Sequence, residues 1–419
     1  MNSKGVSSEE NLTRRFYLLN ICVAIILLLT IFVSVYHFGG EAWRSQRQVA
    51  LILPGVKENL GWDRSQYLAV KSVCEDENFS LVLRENIPNE RDSCKKVVDE
   101  LVKSGVTTIC FTNGLKLNYL NEFEKIYPQV SFSTIEIISA LWSGGSYSIL
   151  AFEGSYLAGI LAGLHTKTNK IGYVAPYSEP EVNQGINAFT IGVQRVNPDA
   201  EVLLNWTNTW DNPASDEQAV RNLKAQSVDV LTYHENGSTV PDTAERAGMY
   251  FISYNEVYPN HNYCLGSLRI DWKKVYSDMI RYRKGLRTGT TSHNAFGVSS
   301  SVVDLVTANN KLSTRERVLI ETAKWEMKSG RFIFSGNIFD RNDVRRCSEN
   351  ETIGFYKLQK NMDWLVKGVR IVGTLKNGRR QKKCISICLE VGRKIFNFPS
   401  CVVFYRLGSL GENGKSFDA

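Results

Sequence analysis

Polar and aromatic side chains gather at the points where apolar runs of this chain give way to loops. The run VALILPG (49 to 55) leads into GVKENLGWDRSQY, which carries Trp62 and Asp63. VTTICF is followed by Asn113, and VSFSTI by Glu136. Farther on come Tyr177 with Glu179, Trp206 with Trp210 and Asp211, His234 with Asn236, and Asn255. Aromatic faces can sandwich a flat molecule, while Asn, Asp and Glu can read its hydrogen-bonding edge. Each residue also has a plainer use. An aromatic at a strand end packs lobes as readily as it stacks a ligand, and Asp63 can cap the helix after it. His234 can be a satisfied loop histidine, and Asn187 sits inside a helical pattern as a structural residue. Convergence is what would turn these residues into a site.

The usual signatures of catalysis are missing. There is no G-x-S-x-G turn, no G-x-x-x-x-G-K-[ST] loop, no H-E-x-x-H, and no G-x-G-x-x-G after VALILPG. The five histidines (His37, His165, His234, His261, His293) are scattered, so no nucleophile and base assemble. The nine cysteines form no C-x-x-C pair. Cys110 reads as a buried small hydrophobe, and Cys384 and Cys388 have no later histidine to complete a zinc site. The expectation is a protein that binds without catalysing, with no metal and no cofactor; disulfide pairing is left open.

The elements that must position these residues alternate regularly. VALILPG, SLVLREN, VTTICF and VSFSTIE read as buried strands separated by helices such as ERDSCKKVVDELVKSG. FEGSYLAGILAGLHTKT reads as a small-residue helix able to lie close against a sheet. The alternation then restarts with KIGYVAP, EVNQGINAFTIGVQRV, AEVLLNW, SDEQAVRNLKAQ, VDVLTYH, VPDTAERAG and MYFISYN. Continuous apolar strands between helices indicate parallel sheets covered on both faces, and two series in one chain indicate two similar lobes. In such sheets ligands bind outside the carboxyl ends of the strands, which is where the residues named above fall.

Charge and hydropathy divide the 419 residues further. The net charge of +7 is concentrated at the C-terminus, where nine Lys/Arg against three acids follow Gly373. The body has no electrostatic reason to seek polyanions, so no nucleic-acid partner is expected. Phe16 to Phe38 holds 23 residues without Asp, Glu, Lys or Arg, enough helix to span a hydrocarbon core of about 30 Å. A cleaved signal would have a shorter apolar core of about 7 to 15 residues. Arg14 and Arg15 precede the span, favouring residues 1–15 inside the cell and the rest of the chain outside the plasma membrane.

The run FEGSYLAGILAGLHTKTNKIGYVAPYSEPEVNQGINAFTIGVQRVNPDAEVLLNWTNTWDNPASDEQAV closely resembles the basic membrane protein family of bacterial solute-binding proteins, in its purine nucleoside receptor-like and Med-like branches. YLAGILAG, GINAFTIGVQRVNPDAEV, WDNPA and MDWLVKGV carry the likeness, which covers roughly Gln48 to Val372. The resemblance implies an α/β fold of the type I periplasmic-binding-protein kind, two Rossmann-like lobes closing on a ligand by hinge motion. It implies a binding protein that takes a small polar, nucleoside-like ligand and delivers it to the membrane subunits of an ABC importer, with the apolar 16–38 span standing in place of the family's lipid anchor. A ligand-sensing regulator without transport is the alternative.

Carried over by position, Trp62 and Asp63 stand where the family has an aromatic followed by Asn. Glu136 falls near an acidic position, Trp210 where an aromatic precedes the Asp-x-Pro turn, and His234 on a histidine of the Med-like branch. Asn255 replaces an aspartate that grips ribose hydroxyls, and Ile270 replaces a lysine. The expected organisation is a transmembrane helix at 16–38, a binding domain at 48–372 and a basic tail at 374–419. Within the domain, lobe 1 is expected at about 48–165 plus 263–290, and lobe 2 at about 169–256 plus 293–372.

Overall fold

The computed structural model describes residues 18–21, 23–31, 33, 47–112, 117–135, 146–256, 258, 260–281, 294–308 and 311–373. The first βα series is β1 (Gln48–Ile52), α1 (Trp62–Glu77), β2 (Ser80–Arg84), α2 (Arg91–Lys103), β3 (Thr108–Phe111), α3 (Leu117–Ile126), β4 (Ser131–Ile135) and β5 (Ser146–Ile149). Helix α4 (Ala151–His165) leads into the second: β6 (Lys170–Ala175), α5 (Pro180–Val196), β7 (Glu201–Trp206), α6 (Pro213–Ala225), β8 (Val230–Tyr233), α7 (Thr239–Arg246), β9 (Tyr250–Tyr254) and β10 (Cys264–Ile270). The chain returns through α8 (Trp272–Arg281) and β11 (Asn294–Phe296), then crosses to β12 (Val303–Thr307) and α9 (Thr314–Lys328). It continues with β13 (Ile338–Phe339), β14 (Arg345–Cys347), α10 (Phe355–Asn361) and β15 (Val369–Ile371).

The strand period of two explains how each sheet is sandwiched. In β1, Val49 and Leu51 enter a core with α1 and α8, whereas Ala50 and Ile52 enter another with α2 and α3. In lobe 2, Ile171 and Tyr173 of β6 face α4 and α5, and Val174 faces α6 and α7. Sheet 1 runs β11-β5-β4-β3-β1-β2, all parallel. Sheet 2 runs β12-β10-β9-β8-β6-β7-β15, parallel except for β10 with β12.

These pairings shift the lobe boundaries expected from sequence. β10 belongs to sheet 2 although 263–290 was expected in lobe 1, and β11 belongs to sheet 1 although 293–372 was expected in lobe 2. Helix α4 likewise packs into the lobe 2 core although it follows β5 directly. The three crossings lie side by side: Leu150 N donates to Phe296 O at 2.8 Å, and Asp271 N to Val302 O at 2.7 Å.

The small residues of α4 serve a helix as well as the sheet. A Cβ at Gly159 would collide with the Phe189 carbonyl of α5, and one at Gly192 of α5 with the Tyr156 carbonyl of α4. Only glycine lets these two helices come so close. Over the outer side of α5 runs the chain from Leu358 to Lys367. Asn183 Nδ2 donates to Met362 O at 2.9 Å, Gln184 Nε2 to Leu358 O at 3.1 Å, and Asn187 Nδ2 to Trp364 O at 3.0 Å, giving Asn187 its structural use.

Cys74, Cys94, Cys110, Cys264 and Cys347 are buried free thiols. Residues 18–21, 23–31 and 33 are helical with exposed side chains, and the rest of 16–38 lies outside the described residues. Among the described residues no helix is long and apolar enough to cross a membrane. The expected basic tail at 374–419 also lies outside them.

Candidate functional site

Two helix starts shape the lobe 2 face. Asn212 caps α6 by accepting a hydrogen bond from Ser215 N at 3.0 Å, and Pro213 follows at the first helical position. That stop fixes Trp210 at the end of the β7–α6 loop, where Trp210 O accepts from Asn236 N at 3.0 Å. Asn236 thus ties two loops together. Helix α5 begins in the same manner, with Glu179 at the cap and Pro180 next, which places Glu181 in the first turn.

Four rings form a ladder along these strand ends. Tyr177 and Trp210 have centroids 6.4 Å apart, Trp210 and His234 5.8 Å edge to face, and His234 and Tyr254 4.3 Å stacked. Tyr177 is exposed at the mouth, while His234 is 7% exposed. Burial lowers His234 to about 4, so its imidazole is neutral, and its Nδ1 has no hydrogen-bond partner. Trp206 is also buried, with its Nε1 unpaired.

On the other face of the same strands lies an acidic set. Thr207 Oγ1 donates to Glu235 Oε1 at 2.7 Å, and Oε2 is unpaired. Neither oxygen of Asp216 has a partner. Burial, aided by the mutual repulsion of these acids and Asp211, raises Glu235 to about 9 and Asp216 to about 7. Glu235 is therefore largely protonated near neutrality, and Asp216 about half so. Asp211 itself is exposed.

Lobe 1 meets this surface through the start of α1. Gly61, at φ +94, lies against Asn236 and Gly237; a Cβ there would be 3.2 Å from Asn236 Oδ1. Trp62 is partly buried and packs edge to face on Trp272 at 5.2 Å. Asp63 is folded back under the β1–α1 loop, where Asn59 Nδ2 donates to it at 3.4 Å and burial raises its pKa. It makes no capping bond to α1, so the simple capping role does not apply.

Asn255 is engaged within the protein. Its Nδ2 donates to Ser65 Oγ at 3.1 Å and its Oδ1 accepts from Trp272 Nε1 at 3.1 Å, so each end of its amide holds a protein partner. A left-handed backbone, φ +64, turns it toward α1.

Of the residues singled out by sequence, Tyr177, Trp210 and His234 share the ladder and Asn236 braces it. Glu179 is exposed at the rim. Asn113 and Glu136 lie outside the described residues. Sequence reasoning passed over Tyr254, Glu235, Asp216 and Glu181. Tyr254 and Glu235 were adjacent to residues it named, and Glu181 stands two after Glu179. The signal for Tyr254 and Glu235 was the strand-end position itself.

The two open sheets, the three adjacent crossings and the facing strand ends define a two-lobed solute-binding protein of the periplasmic-binding-protein kind. Residues 46–333 match the family of ABC transporter substrate-binding proteins that are PnrA-like, and the chain belongs to that family. A purine-binding protein of Brucella abortus is 27% identical over 220 residues, 52% of this chain and 63% of that one. The transcriptional activator protein med of Bacillus subtilis is 24% identical over 213 residues, 49% of this chain and 65% of that one. The alignments thus span just under two thirds of these relatives. A solved ABC-transporter solute-binding protein from Conexibacter woesei superposes with a TM-score of 0.58 at 14% identity, covering 68% of this chain and 97% of that one. This likeness extends the fold assignment to the chain's tertiary structure.

Proposed function

We propose that the chain is an extracytoplasmic solute-binding protein, tethered by its 16–38 segment, that holds a purine base or nucleoside between its lobes for ABC-type import. The observation that carries this reading is the ladder of Tyr177, Trp210, His234 and Tyr254 at the strand ends of lobe 2. Its outermost rings offer a flat apolar face, and the neutral His234 with the protonated Glu235 behind it makes the wall poor in positive charge. A wall of that kind suits an uncharged heteroaromatic ligand better than a phosphorylated one. The Brucella relative, described as purine-binding, points the same way.

Thermal shift across a panel of purine and pyrimidine nucleosides and free bases tests the ligand class. Saturation at about 100 times Kd adds roughly 2.7 kcal/mol to stability. A shift with purines alone is expected; no shift with any of them would sink the ligand assignment and leave the fold untouched. The Bacillus relative named as a transcriptional activator supports a second reading, a sensor without transport. Stimulated ligand uptake by membranes carrying a cognate permease favours import, and ligand binding without uptake favours the sensor. Protease added to intact cells should digest 48–372; full protection would overturn the placement outside the membrane.

A further inference from the structure

Glu181 is the acid in the first turn of α5. It is only partly exposed, and it makes no hydrogen bond or ion pair among the described residues. Gly185 stands one turn later on the same face of the helix, as residues at i and i+4 do. A Cβ at Gly185 would lie 3.1 Å from Tyr173 Oη and 3.7 Å from His234 Nδ1. The face of α5 that carries Glu181 therefore looks onto the buried end of the ring ladder. Tyr254, the ring of the ladder farthest from Tyr177, feels the Glu181 charge, which adds to burial in raising its phenol. The His234 imidazole beside this face is more than nine-tenths buried with Nδ1 unpartnered, an independent sign of polar demand that the protein does not meet by itself.

We propose that Glu181 reads the ligand's edge, and that its carboxylate selects a purine with two adjacent N–H donors, the guanine type, over one with a donor beside an acceptor, the adenine type. This rests on the reading of the cleft as a purine site. The two oxygens of a carboxylate lie in one plane and accept two parallel N–H bonds, as they do from a guanidinium. An adenine-type edge would satisfy one oxygen and set a ring-nitrogen lone pair against the other. The penalty for that mismatch in a partly desolvated site is a factor of about 10 to 100 in affinity. Burial and the neighbouring Glu179 carboxylate raise Glu181 to about 7, so the selective form is the one present above neutrality.

The experiment is calorimetric titration of the full-length chain in detergent at about pH 8 with guanosine, inosine and adenosine. Guanosine should bind most tightly. Inosine, which keeps one of the two donors, should fall between, and adenosine should be weakest by about 10- to 100-fold. Glu181→Gln presents one acceptor and one donor, the complement of the adenine-type edge, so it should reverse the order of guanosine and adenosine. Equal affinities in the wild-type chain, or an unchanged ratio in folded Glu181→Gln, would overturn the assignment while leaving the purine reading in place. If the variant does not fold, the wild-type order of the three nucleosides decides alone. Binding of none of the three would remove the purine reading and this assignment together.

Discussion

The two faces of the cleft are built to different ends. On lobe 1, most described polar groups at the start of α1 have protein partners: Ser65 bonds Asn255 and Gly61, Gln66 Oε1 accepts from Tyr276, and the Trp62 ring packs on Trp272, which leaves Asp63 Oδ1 and Gln66 Nε2 as the buried atoms without partners there. On lobe 2, Trp206 Nε1 and His234 Nδ1 are buried without partners, as are Glu235 Oε2 and both Asp216 oxygens on the other face of the same strands, and Glu181 makes no hydrogen bond among the described residues. Unpaired buried polar atoms cost stability, each about 1–3 kcal/mol relative to a paired one. A protein carries such a load where it is relieved by something that binds. Under the proposed reading of the cleft, lobe 2 holds the larger share of unmet polar groups and lobe 1 the contacts that tie the lobes together.

The contrast can be broken first at its foundation. The lobe 2 face rests on the contact of α4 with α5, and Gly159→Ala forces a Cβ into the Phe189 carbonyl. Overpacking of that kind costs about 1–3 kcal/mol and more when the obstacle is backbone, so chemical denaturation should show a loss of about 3 kcal/mol. Because α5 carries Glu181 and Gly185, purine affinity should fall with it. A stable variant with intact affinity would show that the ladder does not depend on this helix pair.

Next in size is the ladder itself. Trp210→Ala removes the ring between Tyr177 and His234, and loss of one stacking surface is worth about 1–3 kcal/mol, or roughly 10- to 100-fold in Kd. Trp62→Ala, which removes an edge contact on lobe 1, should cost less than about 10-fold. Titration of both variants with the tightest purine compares the faces directly. Equal losses would erase the asymmetry.

A third test uses pH on the ligand-free protein. Glu235 and Asp216 have folded pKa values of about 9 and about 7, above their ordinary values of 4.5 and 3.8. The folded chain therefore holds protons that the unfolded chain has released, and stability falls as pH rises through this window. Burial lowers His234 from 6.5 to about 4, so it acts oppositely, costing stability only as pH falls below about 6.5. The midpoint of thermal unfolding should therefore decline between about pH 6.5 and pH 9, and Glu235→Gln should flatten the decline. A flat wild-type profile would mean that these acids find cations or water in solution.

Much of this architecture was legible in the sequence because burial on both faces of a parallel sheet forces unbroken apolar strands. VALILPG, KIGYVAP and VDVLTYH fall on β1, β6 and β8, and the strand-end rule led to Tyr177, Trp210 and His234. The lobe boundaries differ from the expected ones because β10 and β11 lie next to crossings, and pairing partners are not encoded in the local pattern. The partners of Asn255 were hidden for a similar reason. Its amide is taken by Ser65 and Trp272, one on the facing lobe and one beyond the next crossing, and only tertiary structure brings them there. Glu181 was hidden by a plainer rule, since an acid in the first turn of a helix needs no further explanation than the helix dipole.

The smallest effect expected belongs to Ser65, and it sharpens the division of labour most. Its hydroxyl lies 2.6 Å from Gly61 O, accepts from Asn255 Nδ2 at 3.1 Å, and stands 3.5 Å from Glu256 Oε1. It has a single proton, so the short contact to Gly61 O takes it and the lone pairs face lobe 2. Ser65→Ala should leave the Asn255 amide with one partner, Trp272, and weaken the tie between lobes by about 1 kcal/mol. That loss should lower the midpoint by about 2–4 °C and raise the ligand dissociation rate, since a looser lid opens more often. The Kd should rise by about fivefold at most, with the guanosine-to-adenosine ratio unchanged, because no group that reads the ligand has been touched. A shift in that ratio would place recognition on lobe 1 as well, and the two faces would then share the work that lobe 2 is assigned.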